Sequence, residues 1–338
     1  PVRRPRYRRP SAEVTCNDSS LALSRPYSLT RCLPMPMAEI PLCVWRTRGQ
    51  SFTFRGQSIR YWTAGQGTPL LLLHGFPTGS WDWHYLWGPL AQRYRVVACD
   101  MLGFGDSAKP VDHVYSLMEQ ADLQQALLAH LQIEQPVDVL AHDYGGKGAH
   151  NVAQELLARH HEQRASIASC VFLNSGLFPE GCRMLLLQKL LLSHLGWLVA
   201  RSFSRDDLVR HLTRVYGPCT HPSESVLDDF WSMLAANRGT RVLHRLAGYV
   251  PERMRHRDRW TQALQGTVPL RLIAGAVDPL YGAHMVEHYR RHVPTADAVL
   301  LQGIGHHPHT EAPQQVLRHY LAFREPAQAF GLLKVAQS

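Results

Sequence analysis

The feature that most limits the fold of this chain is a series of short apolar runs separated by longer stretches with helical periodicity. The runs are PLLLLHGF (69–76), YRVVACD (94–100), VDVLAHD (137–143), ASCVFLNSG (168–176), PLRLIAGAVD (269–278) and ADAVLLQGIGH (296–306). Most of them lack the polar–apolar alternation of a half-exposed strand, which is typical of parallel strands covered on both faces. The sequence therefore predicts an α/β protein with a wound parallel sheet.

Two further elements complete this outline. SFTFRGQSIRYWTAG alternates on both sides of Arg55-Gly56 and predicts a β-hairpin, which gives eight strands in all. Residues 178–265, between the sixth and seventh strands, contain no convincing strand but several helix signals, such as HPSESVLDDFWSMLAAN, where Ser223 or Ser225 could cap a helix. Because open sheets bind ligands at the carboxyl ends of their strands, we expect 178–265 to be a helical cap on a discontinuous core of 39–177 and 266–338.

The charge of the chain is concentrated near its start. The net charge is +9, and residues 1–38 hold seven arginines against Glu13 and Asp18. We expect a basic, disordered extension, or sequence upstream of a start at Met35 or Met37. Contact with nucleic acid or an anionic membrane and a transit peptide are the alternatives. The rest of the chain is only mildly cationic, so we expect no nucleic-acid partner.

The cysteines and the most apolar segment exclude other classes. The seven cysteines are scattered without a CxxC pair, so neither a zinc site nor a disulfide framework is indicated. A reducing, cytoplasmic compartment fits best. The segment from Met184 to Ala200 is interrupted by polar residues and falls short of the ~20 apolar residues that a membrane span needs.

Three loops at predicted strand ends carry the chemistry, and all lie at the same edge of such a sheet. In HGFPTGSWDW, Gly75 permits a tight turn that aims the backbone N–H of Phe76 into the cleft. In AHDYGG, Asp143 occupies the place of the nucleophilic serine that a sharp strand-to-helix turn often carries, and we expect the N–H of Tyr144 to face the same cleft. Two converging amides predict an oxyanion hole.

The third group of residues follows the last two strands. AVDPLYG places Asp278 just after the seventh strand, and IGHHPHTEAP places His306 after the eighth. His307 and His309 compete with His306, and the G-H-x-x-x-x-E-x-P frame favours His306. Asn174, after the sixth strand, is the alternative position for the acid, and His142 is expected to pack against the sheet.

These motifs resemble those of the α/β-hydrolase superfamily, and more narrowly its aspartate-nucleophile branch, the epoxide hydrolases and haloalkane dehalogenases. HGFP (74–77) matches their HG-x-P loop, DMLGFGDSAKP (100–110) their D-x-x-G-x-G-x-S-x-x-P loop, and HDYGG the nucleophile position. Over residues 50–326 the resemblance implies the α/β-hydrolase fold, a mostly parallel eight-stranded sheet with helices on both faces and an inserted helical cap. It implies Asp143 as nucleophile, Asp278 as acid and His306 as base, with no metal or cofactor.

An aspartate nucleophile suits only some reactions. Attack on an acyl group would give a reactive anhydride, whereas displacement at a saturated carbon gives an ordinary ester. His306 would then activate a water that cleaves the ester. We therefore expect an epoxide-hydrolase-like enzyme that acts on a small or medium apolar substrate, as a monomer or homodimer.

The leaving group separates the two subfamilies. An epoxide oxygen needs an acid, which the resemblance assigns to a pair of cap tyrosines, and Tyr216 and Tyr249 are the candidates. A halide needs N–H donors, and Phe76 and Tyr144 stand where the dehalogenases have Asn and Trp; Trp231 or Trp260 could substitute. A dehalogenase, and a non-catalytic or regulatory protein with the same fold, remain the alternatives.

Overall fold

Eight strands form one sheet within the described part of the computed structural model, which comprises residues 40–143, 149–178, 180 and 186–325. The strands are β1 (Gln50–Phe54), β2 (Gln57–Ala64), β3 (Pro69–Leu73), β4 (Arg95–Cys99), β5 (Val137–His142), β6 (Ile167–Leu173), β7 (Leu270–Gly275) and β8 (Asp297–Leu301). Their order across the sheet is β1-β2-β4-β3-β5-β6-β7-β8. β2 pairs antiparallel with both β1 and β4, and all other neighbouring strands pair parallel. All eight strands occur where the sequence predicts them.

Burial along the strands explains the apolar runs. Every residue of β3 and of β5 is buried, because helices cover both faces at the centre of the sheet. β8 is mostly half-exposed, because it is an edge strand. The hairpin between β1 and β2 turns at Arg55 and Gly56, whose φ values of 48° and 78° are those of the tight turns that join twisted strands.

Helices connect the parallel strands. They are α1 (Leu42–Arg48), α2 (His84–Ala91), α3 (Leu117–His130), α4 (Ala149–His161), α5 (Leu186–Leu191), α6 (Gly196–Ser202), α7 (Arg205–Val215), α8 (Glu224–Ala235), α9 (Leu243–Leu246), α10 (Tyr249–Arg255), α11 (Arg257–Gln262), α12 (Ala283–His292), α13 (Pro308–Glu311) and α14 (Pro313–Arg324). Short 3₁₀ turns lie at Ser80–Trp83, Ala236–Val242 and Ala263–Gln265.

Residues 186–265, between β6 and β7, are helical. Their described elements run from α5 to the last 3₁₀ turn and include no strand. The α8 helix begins where the sequence predicts, because the Ser223 hydroxyl accepts from the Val226 N–H. Ser204 and Asp207 form a capping box at the start of α7. The segment thus contains two helices, α7 and α8, whose first turns are capped by side chains of their own.

The cysteines differ from expectation at one position. Cys43, Cys99 and Cys170 are free thiols, but Cys219 is disulfide-bonded. The predicted basic extension, 1–38, also lies outside them. In the part of the chain that is described, no helix is both long enough and apolar enough to cross a membrane.

Candidate active site

The three residues predicted to follow β5, β7 and β8 meet at the carboxyl edge of the sheet. His306 Nε2 lies 3.1 Å from Asp143 Oδ2, and His306 Nδ1 lies 2.9 Å from Asp278 Oδ2. The side chains are 3% exposed for His306 and 0% for each aspartate. We refer to Asp143, His306 and Asp278 as the triad. It forms because parallel strands end at the same edge and each residue lies within five positions of the end of its strand.

The electrostatics of the triad favour a charged imidazole. Burial by itself lowers the pKa of His306, but the charges and hydrogen bonds of Asp278 and Asp143 outweigh it and raise that pKa to about 10. A carboxylate only accepts hydrogen bonds, so the imidazolium, with both ring N–H groups donating, satisfies both partners. Asp143 is thereby held beside a compact positive charge.

Asp278 is oriented by two further donors. Asn174 Nδ2 donates to its Oδ2 at 2.7 Å, and the Leu280 N–H donates to its Oδ1 at 2.8 Å. Asn174 Oδ1 in turn accepts from the Gly275 N–H at 2.8 Å, and the φ of Asn174 is 37°. The asparagine after β6, which the sequence offered as an alternative position for the acid, therefore positions the acid that follows β7.

The loop that carries His306 is fixed by the glutamate of the G-H-x-x-x-x-E-x-P frame. The Glu311 carboxylate accepts from the backbone N–H groups on both sides of His306, those of Gly305 and His307, each at 2.8 Å. It also accepts from the Gly217 N–H at 2.8 Å. The His306 N–H donates to the carbonyl of Val215 at 2.8 Å. The histidine loop and the end of α7 are therefore held together.

The HG loop lies directly against the turn that carries Asp143. A Cβ added at Gly75 would lie 2.6 Å from the Asp143 carbonyl oxygen and 2.8 Å from His142 Nδ1. Only glycine allows this approach, which places Phe76 next to the turn. Tyr144, the other predicted amide donor, lies outside the described residues. The oxyanion hole of Phe76 and Tyr144 stays a prediction.

Most of the chain matches a known protein family. Residues 68–313 match the family described as alpha/beta hydrolase fold. The chain belongs to the α/β-hydrolase fold family. It is 39% identical over 305 residues to the human (Homo sapiens) mesoderm-specific transcript homolog protein, covering 86% of this chain and 90% of that one.

Two bacterial relatives extend the comparison of this α/β hydrolase. The putative hydrolase LipZ of Mycobacterium tuberculosis is 36% identical over 253 residues, 74% of this chain and 86% of LipZ. A soluble epoxide hydrolase of Corynebacterium sp. is 38% identical over 94 residues, 28% of this chain and 32% of that one. The likeness to the mesoderm-specific transcript group was already indicated by HGFPTGSWDW, HDYG, LLLQKLL and GPCTHPSES.

The glycines of the DMLGFGDSAKP loop have a structural role in this hydrolase. Asp100 accepts from the N–H and hydroxyl of Ser80 and from the Asp106 N–H, each at 2.7 Å. A Cβ at Gly105 would lie 2.2 Å from the Asp100 carboxylate. The loop thus ties the chain after β4 to the chain after β3.

The two candidate tyrosines are both buried. Tyr216 is 5% exposed, and its hydroxyl lies 2.9 Å from Thr310 Oγ1; its ring stacks on His307 at 4.9 Å. Tyr249 is 3% exposed at the start of α10. A third tyrosine, which the sequence analysis missed, is Tyr281, whose ring lies 5.8 Å from that of His306. It belongs to AVDPLYG, the loop that supplied Asp278.

The alternative halide donors differ in what they contact. The Trp260 indole N–H donates to Glu155 Oε2 at 3.0 Å and is therefore occupied by a carboxylate. Trp231 is partly buried on α8, with its ring 6.5 Å from that of Phe203.

Three further histidines gather beside the triad. One ring nitrogen from each of His142, His307 and His309 lies within 4.8 Å of the others. The pKa of each is well below its usual value, chiefly because of burial and then because neighbouring histidines repel a proton. From the sequence, His142 is predicted to pack against the sheet and His307 and His309 to compete with His306, because their spacing along the chain gives no sign that the three rings meet.

Proposed function

We propose that this α/β hydrolase opens epoxides of small or medium apolar substrates through a covalent ester on Asp143. The observation that carries the proposal is the chemical nature of the residue at the turn after β5. A carboxylate, 3.1 Å from a histidine that itself contacts a second carboxylate, stands where serine hydrolases have a hydroxyl. Such a carboxylate gives a stable intermediate only at a saturated carbon.

In the first step, an Asp143 oxygen attacks a ring carbon of the epoxide and the carbon–oxygen bond of the ring breaks. The released oxygen takes a proton from a cap tyrosine, for which Tyr216 and Tyr249 are the candidates. Burial raises the pKa of Tyr216, so its hydroxyl stays protonated. It donates to Thr310 Oγ1, because the Thr310 hydroxyl itself donates to the His307 carbonyl, so Tyr216 has to leave Thr310 to protonate the epoxide oxygen. The products of this step are an alkyl ester on Asp143 and a phenolate.

In the second step, His306 becomes the base. Esterification removes the Asp143 charge, one of the interactions that raise the pKa of His306, so the imidazolium releases its proton, which restores the tyrosine. Neutral His306 then takes a proton from water, and the hydroxide attacks the ester carbonyl. The amides of Phe76 and Tyr144 hold the oxyanion, and collapse releases the diol and the Asp143 carboxylate.

The helical segment supplies the environment for this chemistry. We propose that 178–265 is a cap on the core formed by 39–177 and 266–338. The near-complete burial of the triad supports a site from which bulk water is excluded. We place the protein in the cytoplasm, as a monomer or homodimer acting on a small molecule. The unpaired thiols support this placement, and the disulfide of Cys219 bears against it.

One observation ranks the alternatives. Dehalogenation needs N–H donors for the halide, but the indole N–H of Trp260 already donates to Glu155. Epoxide opening needs an O–H donor, and Tyr249 is a buried candidate, whereas the Tyr216 hydrogen is directed to Thr310. Release of halide from haloalkanes, with no diol from epoxides, would favour the dehalogenase. A panel of epoxides, haloalkanes and esters left intact at high protein concentration would favour a non-catalytic role.

The direct test is a single turnover in ¹⁸O-labelled water with excess protein over an apolar epoxide such as styrene oxide. The aspartyl mechanism puts unlabelled oxygen into the first diol, because that oxygen comes from Asp143. Direct attack by water would put the label into the diol and reject the proposal. The Asp143→Asn variant, with deamidation excluded by intact mass, should lose turnover by about 10³-fold or more. Full activity of that variant would also reject the proposal.

A further inference from the structure

The histidine cluster, defined as His142, His307 and His309, joins two separate parts of the chain. His142 is the last residue of β5, directly before Asp143, whereas His307 is the N-cap of α13 and His309 its second residue, just after His306. The rings of His142 and His309 lie 4.2 Å apart, and those of His142 and His307 lie 4.9 Å apart. The three residues are between 0% and 2% exposed.

The hydrogen bond of His142 fixes the form of its ring. His142 Nε2 lies 2.8 Å from the His306 carbonyl oxygen, and a carbonyl can only accept, so Nε2 carries the hydrogen. In the neutral ring, Nδ1 then holds the lone pair, and Nδ1 has no hydrogen-bond partner in the described structure. Histidines that bind metals are commonly oriented in this way, with the second ring nitrogen donating to a carbonyl or carboxylate.

The other two rings also offer buried nitrogens. His307 Nδ1 and both ring nitrogens of His309 have no hydrogen-bond partner within the described structure. A buried polar atom without a partner costs roughly 1–3 kcal/mol, so such a group of atoms is an unusual feature of a folded core. None of these nitrogens donates to or accepts from another ring of the cluster within the described structure, so the rings do not satisfy one another.

We propose that His142, His307 and His309 bind one divalent transition-metal ion of the zinc type. Three neutral imidazoles are a known ligand set for zinc, with a fourth position open to another ligand. Zinc–nitrogen bonds of about 2.0–2.1 Å require ligand atoms ~3.3 Å apart, so side-chain rotations of about an ångström would close the cluster. The neighbouring triad consists of two carboxylates and one imidazole. Its net negative charge favours a cation in the cluster over an anion.

The metal would act as a clamp beside the triad. It would connect the residue before Asp143 to the residues after His306, across the two loops whose separation sets the 3.1 Å contact of the triad. This proposal does not depend on the epoxide mechanism, because binding and stability are measurable without turnover.

The experiment uses the full chain after treatment with a chelator and removal of the chelator. Zn²⁺ is titrated in competition with a chromophoric chelator, and Co²⁺ binding is followed by its visible absorption. We expect one tight site per chain, a rise in melting temperature with Zn²⁺, and the strong Co²⁺ bands of a four-coordinate, nitrogen-bound ion. His309→Gln should weaken Zn²⁺ binding on the order of 100-fold or more.

A matched control is present on α12. His288 and His292 lie four residues apart on this helix, with stacked rings 5.5 Å apart, and could bind an ion adventitiously. His288→Gln/His292→Gln should leave the tight site intact. Tight binding that survives His309→Gln and is lost in this double variant would mean an adventitious ion only and would overturn the proposal.

Two results on the unmodified chain keep the test decisive if His309→Gln misfolds, as judged by circular dichroism. Weak, six-coordinate Co²⁺ bands would overturn the proposal. So would a melting temperature that Zn²⁺ leaves unchanged, because the buried nitrogens would then be satisfied by water or left unpaired.

Discussion

The carboxyl edge of the sheet and the helical segment of residues 186–265 are held in place in different ways. At the edge, the triad side chains each follow a strand by a few residues, so the register of the sheet brings them together. The helical segment has no such register with the core. Apolar side chains of the segment join the common core, as Phe230 does against Trp81, and buried polar side chains that reach across from distant positions fix its placement.

Four of these contacts show the pattern. Glu155 on α4 accepts from Arg259 and Trp260 on α11, and Glu311 accepts from Gly217 after α7. Lys109 donates to carbonyls at the end of α8, the shortest bond being 2.6 Å to Ala236. Glu252 on α10 accepts from the first N–H groups of α3, at 2.8 Å from Leu117. Substitutions at the edge should therefore change chemistry, whereas substitutions at these contacts should change stability.

The largest effect is expected at the edge, for His306→Gln. Asp143 can still attack the epoxide, but no base remains to activate water, so the ester accumulates. Multiple turnover should fall about 10³-fold, and intact-protein mass spectrometry should show one substrate added per chain. The unfolding free energy should change far less than the activity.

The control for this substitution is His194→Gln, which removes an exposed histidine that lies outside the triad. His194→Gln should turn over normally and show no adduct. If His306→Gln kept its activity, or lost it without any covalent adduct on exposure to the epoxide, the two-step scheme would be wrong.

The next effect is expected at a contact of the helical segment, for Glu155→Gln. Glu155 is 1% exposed and accepts from Arg159 at 2.9 Å as well as from Arg259 and Trp260. Burial alone would raise its pKa, but the hydrogen bonds of these partners lower it, so it is charged at neutral pH. Removal of that charge leaves the buried Arg159 undercompensated and should cost about 3 kcal/mol of unfolding free energy in urea denaturation.

Glu287→Gln is the matched control for that substitution. Glu287 pairs with Arg291 at 3.3 Å on α12, and its side chain is 66% exposed, so we expect a change within about 0.5 kcal/mol. Equal losses for the two variants would mean that the helical segment is not attached through Glu155.

The difference between the carboxyl edge and the helical segment also determines how much of the structure the sequence alone could predict. The eight strands, the Ser223 cap and the residues of the triad follow from local patterns: apolar runs, turn residues and the rule that parallel strands end at one edge. Other contacts join residues more than 90 positions apart. They are the bond between Glu155 and Trp260, the bond between Glu311 and Gly217, and the histidine cluster. No periodicity encodes such pairs, since each depends on how finished elements pack. The roles of Tyr216 and Tyr249 stay predictions for the same reason.

The smallest effect is expected for Asn174→Ala, a substitution at the carboxyl edge of the sheet but outside the triad. Asn174 donates to Asp278 at 2.7 Å and accepts from Gly275, so it orients the acid without contacting Asp143 or His306 in any described hydrogen bond. Its loss should lower kcat about tenfold, equivalent to ~1.4 kcal/mol, with KM little changed. Asn174→Asp keeps the acceptor for Gly275 but places a second carboxylate against Asp278, so it should lower kcat further. A merely structural asparagine would show reduced stability in both variants with kcat per folded molecule unchanged, and that result would remove Asn174 from the site.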